Sequence, residues 1–523
     1  MNIGMQKNSI NLKLTFISLI KLLLPLVFLF IAIKLMYRGI GFQAKFLDIL
    51  AFALLIITFG LYRKLFFIVG GIIILCYTIY TPIGLSFGDP SYQYVVSFLS
   101  TNLIESNEFL SLIPLKNWIY AFSIPACVFL FYKLNSKNNL KVYKNKLFFI
   151  ATVIILVINQ SPFLLFQKLY VAIKEVRYEL AQLETLLPKS DWQDVALDYN
   201  KSKYDDYVLI IGESARKDYL HEYGYPIENT PFISQSRATI IDGLTSAGTN
   251  TVASLRLMLT ENNRSDWTPN YNLNLIDLIN QAGISTYWIS NQGYVSKYDS
   301  PVTAIAKKSH AISFLNSGSF ESSNRSDFEL LAKFKNFLTD NNMNKKRFFV
   351  IHIMGSHPDV CQRITDVALI TKIEDQNYDY LNCYVTSIYK TDKMIEELYK
   401  MLDQQMKTNG RTFSLIYFSD HGLSHDFSVD KIKLNLSYTS KYHYDIPLIK
   451  LSSDDKEKVK LHSFKSGLNF TNGIANWMGI DSKQLDIHYD LFDGVNDNND
   501  YGLFNKIKLN NNRPDPAIDI NGK

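Results

Sequence analysis

Residues 207–231 read YVLIIGESARKDYLHEYGYPIENTP, and the fold turns on them. The run Tyr207–Ile211 is apolar and β-branched enough for an interior strand of a parallel sheet, and Gly212 ends it just before Glu213 and a helical stretch. Ligands of open α/β sheets bind at the carboxyl ends of strands, so Glu213 is a lone acid where chemistry is expected. A second strand of the same kind, Phe413–Phe418, runs directly into Ser419-Asp420-His421-Gly422. Two strand ends thus offer two carboxylates and an imidazole, a ligand set suited to zinc or manganese.

A third stretch, residues 245–260, reads TSAGTNTVASLRLMLT. A small-residue turn (Ser246, Ala247, Gly248) precedes Thr249, Asn250 and Thr251, and an apolar helical pattern follows. A hydroxyl at a helix N-terminus sits in a positive field that favours both an alkoxide and a bound phosphoryl oxygen. The same pattern equally allows these threonines to be helix caps.

Further on, helical and strand patterns alternate: Leu273–Ala282 before Ser285–Ile289, Phe328–Leu338 before Phe348–Met354, and Tyr378–Leu402 before Phe413–Phe418. The fold class expected is α/β, a mainly parallel sheet sandwiched by helices. The strand Tyr444–Ile449, broken by Pro447, is expected nearer an edge. From Asn496 the chain is rich in Asn, Asp and Gly and is expected to be a loosely ordered tail.

The front of the chain differs. Apolar runs at Thr15–Met36, Phe46–Tyr62, Leu65–Leu85, Trp118–Tyr132 and Leu147–Phe166 predict five membrane helices, several close to the roughly 20 residues that a bilayer requires. Lys7 and Lys13 precede the first, Arg63 and Lys64 follow the second, and Lys133, Lys137, Lys141, Lys144 and Lys146 crowd before the fifth. The loop Ser86–Lys116 is acidic by contrast, so the positive-inside rule places the later half of the chain outside the inner membrane, in the periplasm. The division predicted is a transmembrane domain over 1–167, an interfacial helical linker over 168–204 and a catalytic domain over 205–523. With 523 residues and 47% hydrophobic content both domains can be built, and a dispersed net charge of +5 gives no ground for nucleic acid as a partner. Cys76 and Cys127 fall in predicted spans, which leaves Cys361 and Cys383 free to pair in an oxidising compartment.

Four motifs in order, YVLIIGESARKDYLHEYGYPIENTP, GTNTVAS, IHIMGSHPD and YFSDHG, resemble those of the phosphoethanolamine transferases of Gram-negative bacteria, of the sulfatase/alkaline-phosphatase superfamily. The resemblance implies that Glu213, Thr251, Asp420 and His421 ligate a catalytic Zn2+, with a second zinc optional, and that Thr251 is the nucleophile. It also implies that His357 and His352 face the transferred phosphate, with Lys297 in the same task. Thr101 and Glu105, four apart on one helix face of the acidic loop, would handle the ethanolamine headgroup. Two departures stand out. A disulfide often flanks the nucleophile in the family, and here those positions are Ala247 and Leu257; a downstream family histidine has Asn435, His425 or His443 as its counterpart.

The activity so implied is transfer of phosphoethanolamine from phosphatidylethanolamine to lipopolysaccharide, at a lipid A phosphate or core sugar, by a monomeric, multi-pass inner-membrane protein. A phosphoglycerol transferase acting on a periplasmic glucan or polymer is the alternative, and a non-catalytic membrane scaffold is disfavoured by the complete ligand set. A true sulfatase is disfavoured too, since GTNTVASLR lacks the nucleophile motif of that chemistry.

Overall fold

The computed structural model describes residues 23–60, 64, 66–92, 95, 109–111, 113–137, 146–184, 190–292, 300–315, 325–339, 346–427, 431–436, 440–509 and 514–523. The chain divides into two compact units, one made of residues 1–95 and 109–176, the other of 96–108 and 177–523.

In the first unit, two helices among the described residues are long and apolar enough to cross a membrane, Phe66–Phe87 and Leu115–Asn135. A third candidate is a pair, Lys146–Ile158 and Ser161–Glu179, bent by 67°. The count of five expected from sequence is therefore not reached among the described residues, and the first expected span lies partly on residues outside them. The fifth run, read as one span over Leu147–Phe166, is broken after Ile158. Pro162 opens the next turn, where its missing N–H costs nothing. Asn159 fixes the break, accepting from Ser161 N at 3.0 Å and donating to Asp48 Oδ1 at 2.9 Å. The helix that follows, Leu164–Glu184, covers only the front of the predicted linker; residues 196–197 form a short strand instead.

The second unit holds an eight-stranded sheet: β1 Asp206–Gly212, β2 Thr239–Thr245, β3 Ser285–Ser290, β4 Ala311–Phe314, β5 Arg347–His352, β6 Phe413–Ser419, β7 Leu448–Ser452 and β8 Val459–Ser466. The order is β8-β2-β7-β6-β1-β5-β3-β4, and only β7 runs against its neighbours. Successive side chains of β1 feed opposite cores. Tyr207, Leu209 and Ile211 pack with Leu255, Leu257 and Met258 on one face, while Val208 and Ile210 pack with Leu330, Phe334 and Tyr384 on the other. Burying each such aliphatic side chain contributes about 1.5–3 kcal/mol, so the central strand is pinned from both sides.

Two expectations are corrected here. The strand expected near an edge is interior, third from one side, because it starts at Leu448, after Pro447, and no ladder bond needs the proline's missing N–H. The tail expected to be loose packs down: Leu503–Leu509 is helical, Ile520 is fully buried and Asp515 is buried with it. β2 and β8 carry weak sequence signals for a physical reason. Gly243 interrupts β2 at φ +148°, where a Cβ would lie 2.2 Å from Ser463 O, and β8 is a Lys-rich edge strand with a register shift.

Candidate active site

Register sets the site. Ile211 pairs with His352 on β5 and Gly212 with Ser419 on β6, so Glu213 and Asp420 leave adjacent strands at one level. Asp420 N donates to Gly212 O at 3.1 Å, keeping the two chains together one residue past the ladder. Glu213, Asp420 and His421 are all buried, and a ligand atom from each lies within 4.8 Å of the others. His421 Nε2 is 3.3 Å from Glu213 Oε1 and 3.4 Å from Asp420 Oδ2.

The turn that follows the acid is held under strain. Ser214 adopts φ +57°, a region unfavourable for a residue with a Cβ. Its backbone N donates to Asp420 Oδ1 at 3.0 Å, its hydroxyl donates to Glu213 Oε1, and its carbonyl accepts from Tyr384 Oη at 2.7 Å. The other oxygen of Glu213, Oε2, accepts from Thr251 Oγ1 and from Gln292 Nε2, each at 2.8 Å. Asp420 Oδ1 also accepts from His421 N at 2.7 Å, yet Asp420 Oδ2 is buried without a hydrogen-bond partner.

Thr251 is the first residue of the helix Thr251–Met258, whose cap is Asn250: its side chain accepts from Ala253 N at 2.9 Å. Capping therefore falls to Asn250, and the Thr251 hydroxyl is directed at Glu213. Ser254 Oγ donates to Asp420 O at 2.7 Å, which ties the same helix to the second acid. The segment after β5 closes over Glu213 from the other side: Ser356 N donates to Glu213 O at 3.0 Å, and Gly355, at φ +46°, comes so near that a Cβ would lie 3.1 Å from Glu213 N. Asp327 anchors this turn, accepting from Met354 N and Gly355 N.

The electrostatics follow from crowding two acids and one base in a dry pocket. Burial, then the charge of Glu213, pushes Asp420 up to about 8. Burial pulls His421 down, but Asp420 and Glu213 outweigh it and hold it at about 9. Burial alone would raise Glu213, yet the hydrogen bond and charge of His421 hold it well below the usual carboxylate range. Without a cation these groups balance only by holding protons on Asp420 and His421, and Asp420 Oδ2 is left with no hydrogen-bond partner. His421 donates Nδ1–H to Gly422 O at 2.8 Å, which turns Nε2 toward the carboxylates, where a bound cation would take the place of its proton. Two carboxylates, one oriented imidazole and one hydroxyl fit a divalent cation.

Of the other residues singled out from sequence, His352 lies beside this cluster rather than in it. Its ring is 3.3 Å from Ser290 Oγ, its Nε2 is buried without a hydrogen-bond partner, and burial holds it down at about 4. His357 is half-buried, its Nδ1 3.4 Å from Arg363 Nη2. Lys297, Thr101 and Glu105 lie outside the described residues. Among the counterparts of the downstream histidine, Asn435 donates to Asp426 Oδ2 at 3.0 Å and His425 has both ring nitrogens engaged by Asp515 and Tyr219. His443 is the one whose ring feels His421: burial first, then that charge, pushes it down to about 3. Cys361 and Cys383 are paired, with Cα atoms 5.0 Å apart, joining the turn after His357 to the long helix Asp379–Asn409.

Sequence reasoning missed Gln292, Ser214, Ser254 and Asp327. Gln292 was within reach of it, since it follows β3 by two residues and so obeys the same strand-end rule that exposed Glu213.

This sheet, with its acids at the carboxyl ends of the central strands, defines a class. The sulfatase family model matches residues 205–480, more than half of the chain, and the chain belongs to that family. Within it, the chain falls with the phosphoethanolamine transferases. It is 49% identical over 354 residues to a Haemophilus influenzae protein provisionally named a phosphoethanolamine transferase, covering 67% of this chain and 72% of that relative. It is 29% identical over 485 residues to the phosphoethanolamine transferase OpgE of Escherichia coli, covering 88% and 89%. Among solved structures, the integral membrane lipooligosaccharide phosphoethanolamine transferase A of Neisseria meningitidis matches with a TM-score of 0.59 at 17% identity, over 90% of this chain and 97% of that one, a likeness of fold.

Proposed function

We propose that this protein transfers phosphoethanolamine from phosphatidylethanolamine to lipopolysaccharide, at a lipid A phosphate or a core sugar, through a phospho-threonine at Thr251. The observation that carries the reading is the Thr251 hydroxyl, bonded at 2.8 Å to Glu213 beside a buried carboxylate oxygen that accepts no hydrogen bond from the protein. Glu213, Asp420, His421 and Thr251 would hold a zinc ion, which when bound supplies Lewis acidity and lowers the pKa of a coordinated hydroxyl.

The residues of the chain then divide the work. Glu213 Oε2 takes the hydrogen bond of the Thr251 hydroxyl and aims its oxygen at phosphorus. A new Thr251 Oγ–P bond forms as the hydroxyl gives up its proton, the P–O bond to the glycerol oxygen breaks, and that oxygen takes up one proton, so that diacylglycerol leaves and the protons balance. In the second displacement an acceptor hydroxyl or phosphate oxygen attacks the same phosphorus, the Thr251 Oγ–P bond breaks and Oγ takes back a proton, which gives ping-pong kinetics. His357, His352 and Lys297 would stabilise charge on the phosphoryl oxygens. Glu105, with Thr101, would hold the primary ammonium of the headgroup. Placing the catalytic unit in the periplasm, anchored in the inner membrane by the apolar helices, keeps it beside a lipid donor. Sequence relatives that carry the phosphoethanolamine transferase name support the donor group.

The test is a two-substrate assay with full-length protein in detergent, labelled phosphatidylethanolamine and lipopolysaccharide. Diacylglycerol and labelled lipopolysaccharide formed together, and both absent with Thr251→Ala, support the reading. Label released only as free phosphoethanolamine, or consumption of phosphatidylglycerol in its place, contradicts it.

A further inference from the structure

Three residues beyond Glu213, Arg216 is fully buried and its guanidinium is saturated. Nε and Nη2 donate to the two oxygens of Asp218 at 2.9 and 2.7 Å, Nη1 donates to Asp515 Oδ2 at 3.1 Å, and Nη2 donates to Asp515 O at 2.6 Å. The guanidinium also lies over the ring of Tyr442, 4.3 Å from its centroid, next in sequence to His443. Gly422, one residue past His421, packs against the same side chain: a Cβ there would be 3.1 Å from Arg216 Cγ and 2.0 Å from Tyr442 O.

Asp515 reaches the second ligand loop as well. Its Oδ1 accepts from His425 Nδ1 at 2.7 Å and its Oδ2 from His425 N at 3.1 Å, while His425 Nε2 accepts from Tyr219 Oη at 2.6 Å. One buried carboxylate, distant in sequence from all of them, therefore bonds to the loop that carries Glu213 and to the loop that carries His421. The segment around it is fastened by its own contacts: Ala517 N donates to Asp218 Oδ2, Ile518 N to Tyr219 Oη, Tyr225 Oη to Ile518 O, and Ile520 is fully buried.

We propose that residues 514–523 form a clamp on the candidate metal centre, with Asp515 a positioning residue that sets the spacing of the Glu213 and His421 loops through Arg216 and His425. None of these groups belongs to the ligand set; they govern where the ligands stand, as partners behind a metal's direct ligands do. The inference rests on Glu213, Asp420 and His421 being cation ligands.

The test measures zinc affinity of the purified full-length protein by competition with a chromophoric chelator, together with kcat and KM for phosphatidylethanolamine. Asp515→Asn is expected to weaken zinc binding about 10–100-fold. Its kcat should fall at limiting zinc and recover at saturating zinc, with KM unchanged. Ile520→Ala loosens the same segment without touching the charge cluster, and should lower Tm while weakening zinc binding less than Asp515→Asn does. Should Asp515→Asn fail to fold, His425→Gln cuts one arm of the clamp and should shift zinc affinity in the same direction. Wild-type zinc affinity in the Asp515 or His425 variant overturns the clamp, as does an equal loss in Ile520→Ala. A wild-type protein that binds no zinc overturns the metal reading and the clamp with it.

Discussion

The two ends of the central strand treat buried acid in opposite ways. At its start Asp206 is buried, but Arg347 donates to both of its oxygens at 2.7 and 2.8 Å and Arg411 does the same at 3.0 and 2.7 Å. Burial raises its pKa and the two arginines outweigh that, holding it below its ordinary value. At the other end Glu213 faces Asp420 across His421, the one basic group beside them, and one oxygen of Asp420 has no hydrogen-bond partner. A buried acid that the protein itself satisfies is architecture, whereas one left unsatisfied among other donors is a place kept for something else.

The sharpest way to break this contrast is at the hydroxyl beside the unsatisfied end. Thr251→Ala should cost roughly 10^4-fold or more in transfer, the scale of losing a covalent nucleophile, with Tm unchanged. Thr249→Ala should stay within about tenfold of wild type, because catalysis depends on the hydroxyl bonded to Glu213. The opposite order in a steady-state assay removes Thr251 from its role.

A second pair of variants tests the contrast itself. Asp206→Asn strips charge from an acid that serves two buried arginines and should destabilise the protein by about 3–5 kcal/mol in denaturant titration. Asp420→Asn, made without metal, relieves repulsion with Glu213 and should leave stability equal or higher. Equal losses in both would mean that the two ends are alike. A smaller effect follows from adding the ion: zinc at about 100 times its Kd should stabilise the wild type by about 2.7 kcal/mol, seen as a raised Tm that a chelator reverses and that Asp420→Asn lacks. Smaller again, Gln292→Ala removes one of two donors to Glu213 Oε2 and should lower kcat about 10-fold with little change in Tm.

Much of this was legible in the residues. Apolar runs ending in Glu213 and in Asp420-His421 announce both the central strands and the acids beyond them, because a buried parallel strand has no polar alternation to confuse it. Thr251 was marked as a helix start, but its task was separated from capping only by seeing Asn250 take the cap. What stayed hidden depends on distance in sequence. Asp515 looks like one more acid in a polar tail, and only the fold carries it to Arg216, 299 residues away. Gln292 sits at a strand end like the acids, but an uncharged amide gives no signal until its partner is seen. The bend at Asn159 was hidden by the apolar residues on both sides of it, which read as one continuous span.

The mechanism turns on Thr251 carrying the phosphoethanolamine group between two lipids. Its most direct test is intact-mass analysis and peptide mapping of the full-length protein after incubation with zinc and phosphatidylethanolamine without acceptor, alongside Thr251→Ala. A phosphoethanolamine adduct is expected on the peptide that contains Thr251, lost on adding lipopolysaccharide and absent from the variant. An adduct on another residue, or transfer that proceeds in the Thr251→Ala protein, would contradict it.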